Sequence, residues 1–177
     1  PASFRDPALL DELRALRPDL QVMAFVTLIV PEEFLGVPTH GTIQYHPSLL
    51  PRHRGRSAIN WPLIKGETET GLTVFLLDGG IDTGDVLLQR TTPVSETDSL
   101  GSVYCDHLFP MGVKAILETV DLVRRGTAPR IPQDEALATG DRQRLVQHRA
   151  REHHGAAQRR QVERGTVLRE TQFTALV

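Results

Sequence analysis

His46 stands at the head of a stiff loop, His46-Pro47-Ser48-Leu49-Leu50-Pro51-Arg52-His53-Arg54-Gly55, in which two prolines and a glycine punctuate the chain. An imidazole holds or passes a proton near neutral pH, and a neighbouring carboxylate favours its charged form. A second stretch, Asp78-Gly79-Gly80-Ile81-Asp82-Thr83-Gly84-Asp85, supplies carboxylates, and its glycines let the backbone approach a flat ligand. Each stretch follows a predicted strand, and in open α/β sheets ligands bind in the crevice beyond strand ends. If the two strands are neighbours, His46 and a carboxylate of the second loop converge as an acid/base pair. Such a pair suits acyl transfer, where an oxyanion must be stabilised and a leaving nitrogen protonated. Gln44 lies two residues before His46, on the same face of the strand, and offers an amide donor there.

Each of these residues also has a structural reading. A histidine at a strand end is usually hydrogen-bonded in place, and Asp82 or Asp85 among glycines can serve the turn alone. Arg52, His53, Arg54 and Arg56 either lie in solvent or grip a substrate carboxylate or phosphate. Ser48 fits a loop-stabilising hydroxyl better than a nucleophile, because no recognisable elbow surrounds it. His40, His46 and His53 recur at six and seven residues, but no cysteine or carboxylate completes a set, and no metal is expected. Cys105 reads as an inert core residue within an apolar helix.

The elements that must carry these loops are legible from periodicity. Asp6 and Pro7 suit a helix cap and first turn, and Leu9, Leu10, Leu13 and Leu16 then share one face until Arg17-Pro18. Val22 to Val30 is nearly all apolar, as in a strand covered on both faces. Glu32, Glu33 and Gly36 outline one short helical turn. Thr42 to His46 alternates, with Ile43 and Tyr45 opposite Gln44 and His46. A helix from Ser57 to Ile64 ending at Gly66, a strand from Leu72 to Asp78 and an extended Val86–Val94 follow. Val113, Ile116, Leu117, Val120 and Val123 keep helical spacing within 100–125, and Pro110 is expected to kink or interrupt that helix. Strands alternating with helices argue for an α/β fold with an open, mostly parallel sheet.

Composition bounds the rest. The 177 residues, 40% hydrophobic, suffice for one globular domain that buries ~70% of its unfolded surface. A formal charge of −2 gives no general affinity for polyanions. One cysteine permits no internal disulfide, and no apolar run approaches the roughly 18 residues of a membrane span. No basic-then-apolar leader precedes Pro1, so a cytoplasmic location is expected. Residues 138–177 hold eight arginines against four acidic residues and lack a sustained apolar period. They are read as a loosely structured extension, with the boundary at 136/137, and RNA is not an expected partner.

The stretch from Tyr45 to Gly55, then Ser57-Ala58-Ile59-Asn60-Trp61, then Asp78 to Asp85, resembles the folate-dependent formyltransferases. That family includes glycinamide ribonucleotide and methionyl-tRNA formyltransferases and the hydrolase domain of 10-formyltetrahydrofolate dehydrogenase, whose loop wording is nearest. The likeness covers roughly residues 20 to 135 and rests on two long motifs in order. It implies a Rossmann-like sheet that takes the formyl group of 10-formyltetrahydrofolate to an amine acceptor, a small molecule or an aminoacyl-tRNA, without a metal. Hydrolysis to formate and an inactive folate-binding fragment are the alternatives it leaves.

By the same resemblance His46 and Asp82 match the catalytic histidine and aspartate. Gln44 stands where the transferases carry an asparagine that helps hold the formyl oxygen. Val26, Thr27, Leu28 and Ile29, with Asp78, Gly79, Gly80 and Ile81, match the pterin pocket, and Ser48, Arg52, Arg54 and Gly55 fall in the substrate-binding loop. The family's first strands have no counterpart in the sequence, so a further half, a partner or a dimer is expected to complete the sheet.

Overall fold

The computed structural model describes residues 4–24, 26 and 28–140. They belong to one compact unit, Pro1–Arg142, and of the Arg-rich extension expected from 137, residues 141–177 lie outside the described residues. Helix α1, Pro7–Leu16, begins as its sequence predicts: the Asp6 carboxylate accepts the Ala8 N–H at 3.0 Å and Pro7 occupies the first turn. Arg17 ends it in the left-handed region at φ 47°. Short helix α2, Glu32–Leu35, has both glutamates in its first turn and Gly36 at its end.

Four strands, β1 Gln21–Met23, β2 Thr42–His46, β3 Glu69–Leu76 and β4 Val86–Pro93, form one sheet in the order β1-β2-β3-β4. The Rossmann-like open sheet with covering helices is present, but it is mixed rather than mostly parallel as expected: the loop from Leu77 to Asp85 between β3 and β4 holds no crossover helix, so those strands run antiparallel. β1 pairs parallel to β2, while β2 with β3 and β3 with β4 are antiparallel. Among the described residues of the apolar run from Val22 to Val30, strand β1 takes in only Val22 and Met23. The ladder with β2 stops at the Met23–Gln44 pair, and of the described residues beyond it Val26 packs into the α1 cluster instead. Leu28 and Ile29, apolar by type, are exposed.

The expected helix from Ser57 is shorter, α3 running Asn60–Ile64, because Ser57 takes a left-handed φ of 62°. Helix α4, Leu100–Ser102, passes through a π-helical turn, Val103–Leu108, into helix α5, Phe109–Arg124. Pro110 follows directly on the π turn inside a continuous helical segment, so the proline marks a change of pitch rather than a break. Cys105 lies on this π turn and is exposed, not a core residue as the apolar spacing implied.

Two apolar clusters hold the unit together. Ile43, Leu72, Val74, Leu87, Leu88, Val103, Leu108 and Ala115 bury the sheet against the 100–124 helix, and Tyr45 packs on the same cluster. Leu10, Met23, Phe34 and Leu35 join α1, β1 and α2, with Val26 against them. Ile43 and Tyr45 therefore occupy the core face of β2, as alternation requires. Burial, reinforced by nearby Tyr104, pushes the Tyr45 phenol well above its ordinary titration range.

Candidate functional site

His46 is the last residue of β2, opposite Thr73 of β3. The proline loop that follows is bolted to the sheet through that same threonine. The Thr73 hydroxyl donates to the Ser48 carbonyl at 2.7 Å and accepts the Leu50 N–H at 3.0 Å. Gln89 of β4 adds its amide, donating to the Leu50 carbonyl at 2.7 Å and to Thr73 Oγ1 at 2.9 Å. One donated and two accepted bonds exhaust what a hydroxyl offers. Inside the loop, Ser48 Oγ donates to the Arg52 carbonyl at 2.6 Å, and the Leu50–Pro51 peptide is cis.

Asp82 arrives by a less direct route. Because β3 runs antiparallel to β2, with Ile43 opposite Leu76 and His46 opposite Thr73, the loop after β3 starts at the far end of β2 from His46. It folds back across the sheet. Asp78 shapes the bend, its Oδ1 accepting the Gly80 N–H at 2.9 Å and the Thr83 hydroxyl at 2.6 Å. A side chain at Gly84 would collide with the Leu76 carbonyl, so only glycine lets the returning strand pass so close. Asp82 itself adopts φ 53°, a left-handed conformation that aspartate tolerates better than most residues.

The result is a buried pair. Asp82 Oδ2 lies 3.4 Å from His46 Nδ1, and the two residues are 8% and 5% exposed. The same carboxylate oxygen accepts the Gly55 N–H at 2.7 Å. On the other side of the ring, His46 Nε2 faces the His53 carbonyl at 2.9 Å. A carbonyl only accepts, so Nε2 carries a proton there. The ring is thus aimed between two fixed oxygens at a site where water is scarce and fixed charges act strongly.

Gln44, half-buried, shares the His46 face of β2. Of the residues read as a substrate grip, Arg54 is 1% exposed and wholly engaged inside the protein. Its guanidinium donates to Gln133 Oε1 at 3.1 and 2.8 Å and to the Glu135 carboxylate at 3.2 and 2.9 Å. It braces the fold rather than gripping an anion. Ser48 is fully buried and committed to its loop, while Arg52 pairs with Glu67. Gly55 serves through its N–H on Asp82. Burial lowers the His53 imidazole below its ordinary range, against the opposing hydrogen bond and charge of Glu67.

The residues expected to hold a pterin divide between two segments. Val26 packs into the α1 cluster and Leu28 and Ile29 are exposed beside it; Thr27 lies outside the described residues. Asp78 and Gly79, together with Glu32, Leu35, Leu77 and others, line a cleft of about 480 Å³, with Gly80 and Ile81 exposed just beyond. The cleft combines apolar walls from Leu35, Leu76 and Leu77 with the Glu32 and Asp78 carboxylates, His40 and the Arg130 cation.

Sequence reading missed Thr73, Gln89, Thr139 and Gln133. The first two are ordinary strand residues until their register with His46 is known. Thr139 accepts the His53 N–H at 2.9 Å on its hydroxyl and the Arg54 N–H at 2.8 Å on its carbonyl. Gln133 donates to the Asp82 and Gly84 carbonyls at 2.9 and 2.7 Å. The one available signal was the concentration of basic residues at 52–56, which requires acidic partners from elsewhere in the chain.

A family model described as formyl transferase matches residues 1–120. The chain is 47% identical over 135 residues to the cytosolic 10-formyltetrahydrofolate dehydrogenase of Xenopus laevis, covering 76% of this chain and 15% of that protein. It is 44% identical over 139 residues to the methionyl-tRNA formyltransferase of Syntrophus aciditrophicus (strain SB), covering 78% of this chain and 44% of that one. Among solved structures it resembles HypX from Aquifex aeolicus in complex with tetrahydrofolic acid, at a TM-score of 0.64 and 30% identity over 73% of this chain and 22% of that one. The chain therefore spans less than half the length of each.

Proposed function

The chain belongs to the formyl transferase family, and from that premise we propose that it moves the formyl group of 10-formyltetrahydrofolate to an amine. The observation that carries the reading is the buried approach of Asp82 to His46, built by the two loops that the sequence motifs mark. With Nε2 protonated toward the His53 carbonyl and the Nδ1 contact at 3.4 Å too long for a firm hydrogen bond, Nδ1 is open to exchange a proton with the reacting groups. His46 then steadies the negative charge of a tetrahedral intermediate, and Asp82, held by the Gly55 N–H, orients the imidazole. Gln44 orients the same carbonyl from its place on β2. As the amine bonds to the formyl carbon, its proton passes through this pair to the departing folate nitrogen.

The cleft beside Leu35, Leu77, Asp78 and Gly79 is the proposed seat of the pterin ring. The acceptor is a small-molecule amine or an aminoacyl-tRNA. Water is the second reading for the acceptor, giving formate and tetrahydrofolate, and the likeness to the dehydrogenase favours it.

Tetrahydrofolate release from 10-formyltetrahydrofolate, without acceptor and then with a panel of amines, tests both. Release that requires an amine is the expected result. Release in water alone would replace transfer with hydrolysis, and no release under any condition would reduce the chain to a folate-binding fragment.

A further inference from the structure

Gln133 lies outside both sequence motifs, yet its amide joins them. Its Oε1 accepts two hydrogen bonds from Arg54, at 3.1 and 2.8 Å, and its Nε2 donates to the backbone carbonyls of Asp82 and Gly84, at 2.9 and 2.7 Å. The orientation of the amide is dictated by its neighbours, because a guanidinium only donates and carbonyls only accept. All four bonds are made at once only by an amide: a carboxylate would turn an oxygen on the carbonyls, and an aliphatic residue would abandon both sides. Asp82 needs such a hold, since its φ of 53° lies where few non-glycine residues rest.

Arg54 is anchored in turn. It is 1% exposed, pairs with Glu135, and its N–H reaches the Thr139 carbonyl at 2.8 Å. The next residue, Gly55, donates its N–H to the Asp82 carboxylate at 2.7 Å. Arg54-Gly55 and Gln133 therefore hold Asp82 from two directions, one on its carboxylate and one on its backbone. Gly140 closes the assembly at φ 116°, where a side chain would meet the Arg54 backbone.

We propose that Gln133 is a positioning residue for the Asp82–His46 pair, acting through the Asp82 and Gly84 carbonyls rather than by touching substrate. Its value for catalysis rests on the formyl-transfer reading, whereas its placement of Asp82 is independent of it. The test separates the two. Amide hydrogen exchange at Gly55 reports where the Asp82 carboxylate sits, with Val74 of the buried sheet as the internal reference. In the full chain, Gln133→Ala and Gln133→Glu should each speed exchange at Gly55 by about tenfold, the worth of one or two hydrogen bonds, and leave Val74 unchanged. Gln133→Glu keeps the acceptor for Arg54, so it retains the melting temperature better than the alanine variant.

In the tetrahydrofolate-release assay both variants should lower kcat by about tenfold with KM for the folate donor unchanged. Unaltered Gly55 exchange in both variants, or equal acceleration at Gly55 and Val74, would overturn the positioning role. A wild-type chain without turnover would overturn the formyl-transfer reading while the exchange data still decided the position of Asp82. Faster Gly55 exchange with kcat intact would show that this precision does not matter to the reaction, and would end the catalytic half of the proposal.

Discussion

The two halves of the candidate site are held in different ways. His46 is the terminal residue of a paired strand, and its loop is fastened by Thr73 directly across the sheet. Asp82 belongs to a loop that doubles back over the sheet and is held by Gly55, and through its carbonyl by Gln133, from distant parts of the chain. The histidine is placed by sheet register and the aspartate by side-chain bracing. Register is set by every residue pair along two strands, whereas bracing rests on a few hydrogen bonds, so the aspartate side should be the easier to disturb without unfolding the protein.

The comparison can be broken at either partner first. His46→Ala or Asp82→Ala should lower the rate of tetrahydrofolate release by about a hundredfold or more, with far-ultraviolet circular dichroism unchanged. Survival of activity in one variant would remove that residue from the mechanism.

A smaller effect sharpens the histidine side. Thr73→Val keeps the shape of the threonine but strands the Ser48 carbonyl and the Leu50 N–H, both within buried structure. A loss of about 2 kcal/mol in denaturant-unfolding stability is expected, as for buried polar groups left without partners. An unchanged midpoint would mean that the proline loop stands without its bolt.

The smallest effect concerns pH. His53, whose carbonyl holds His46, sits buried beside Glu67 with its imidazole below the ordinary value of 6.5. A depressed histidine means that the unfolded chain binds the proton first as acid is added. Its contribution to stability is therefore complete at neutral pH and declines as pH falls below about 6.5. Glu67 is also lowered: burial alone would raise it, but hydrogen bonds and charge from His53 and Arg52 outweigh that, so its own contribution fades only at more acidic pH. The melting temperature should fall between pH 7 and pH 5, and the slope should flatten in His53→Gln. An identical slope in that variant would assign the effect elsewhere.

Much of this was legible in the sequence because it is local. The Asp6-Pro7 cap, the alternation that puts Ile43 and Tyr45 in the core, and the two loops that carry His46 and Asp82 follow from spacing and turn chemistry within a few residues. What sequence concealed depends on partners. The run after Met23 is as apolar as a strand, yet of its described residues Val26 packs into the α1 cluster and Ile29 lies in solvent. Arg54 looks like a surface cation in a basic loop, yet Gln133 and Glu135, some 80 residues on, take it into the interior. Cys105 keeps apolar company in sequence, and the π turn sets it outward.

The most direct test of the paired site is a double-mutant cycle on tetrahydrofolate release with His46→Ala, Asp82→Ala and the two combined. Residues that act as one unit lose nearly everything with the first substitution. The buried 3.4 Å approach predicts that the double variant is no slower than the slower single variant. Losses that multiply would contradict it, and would mean that His46 and Asp82 serve the reaction separately.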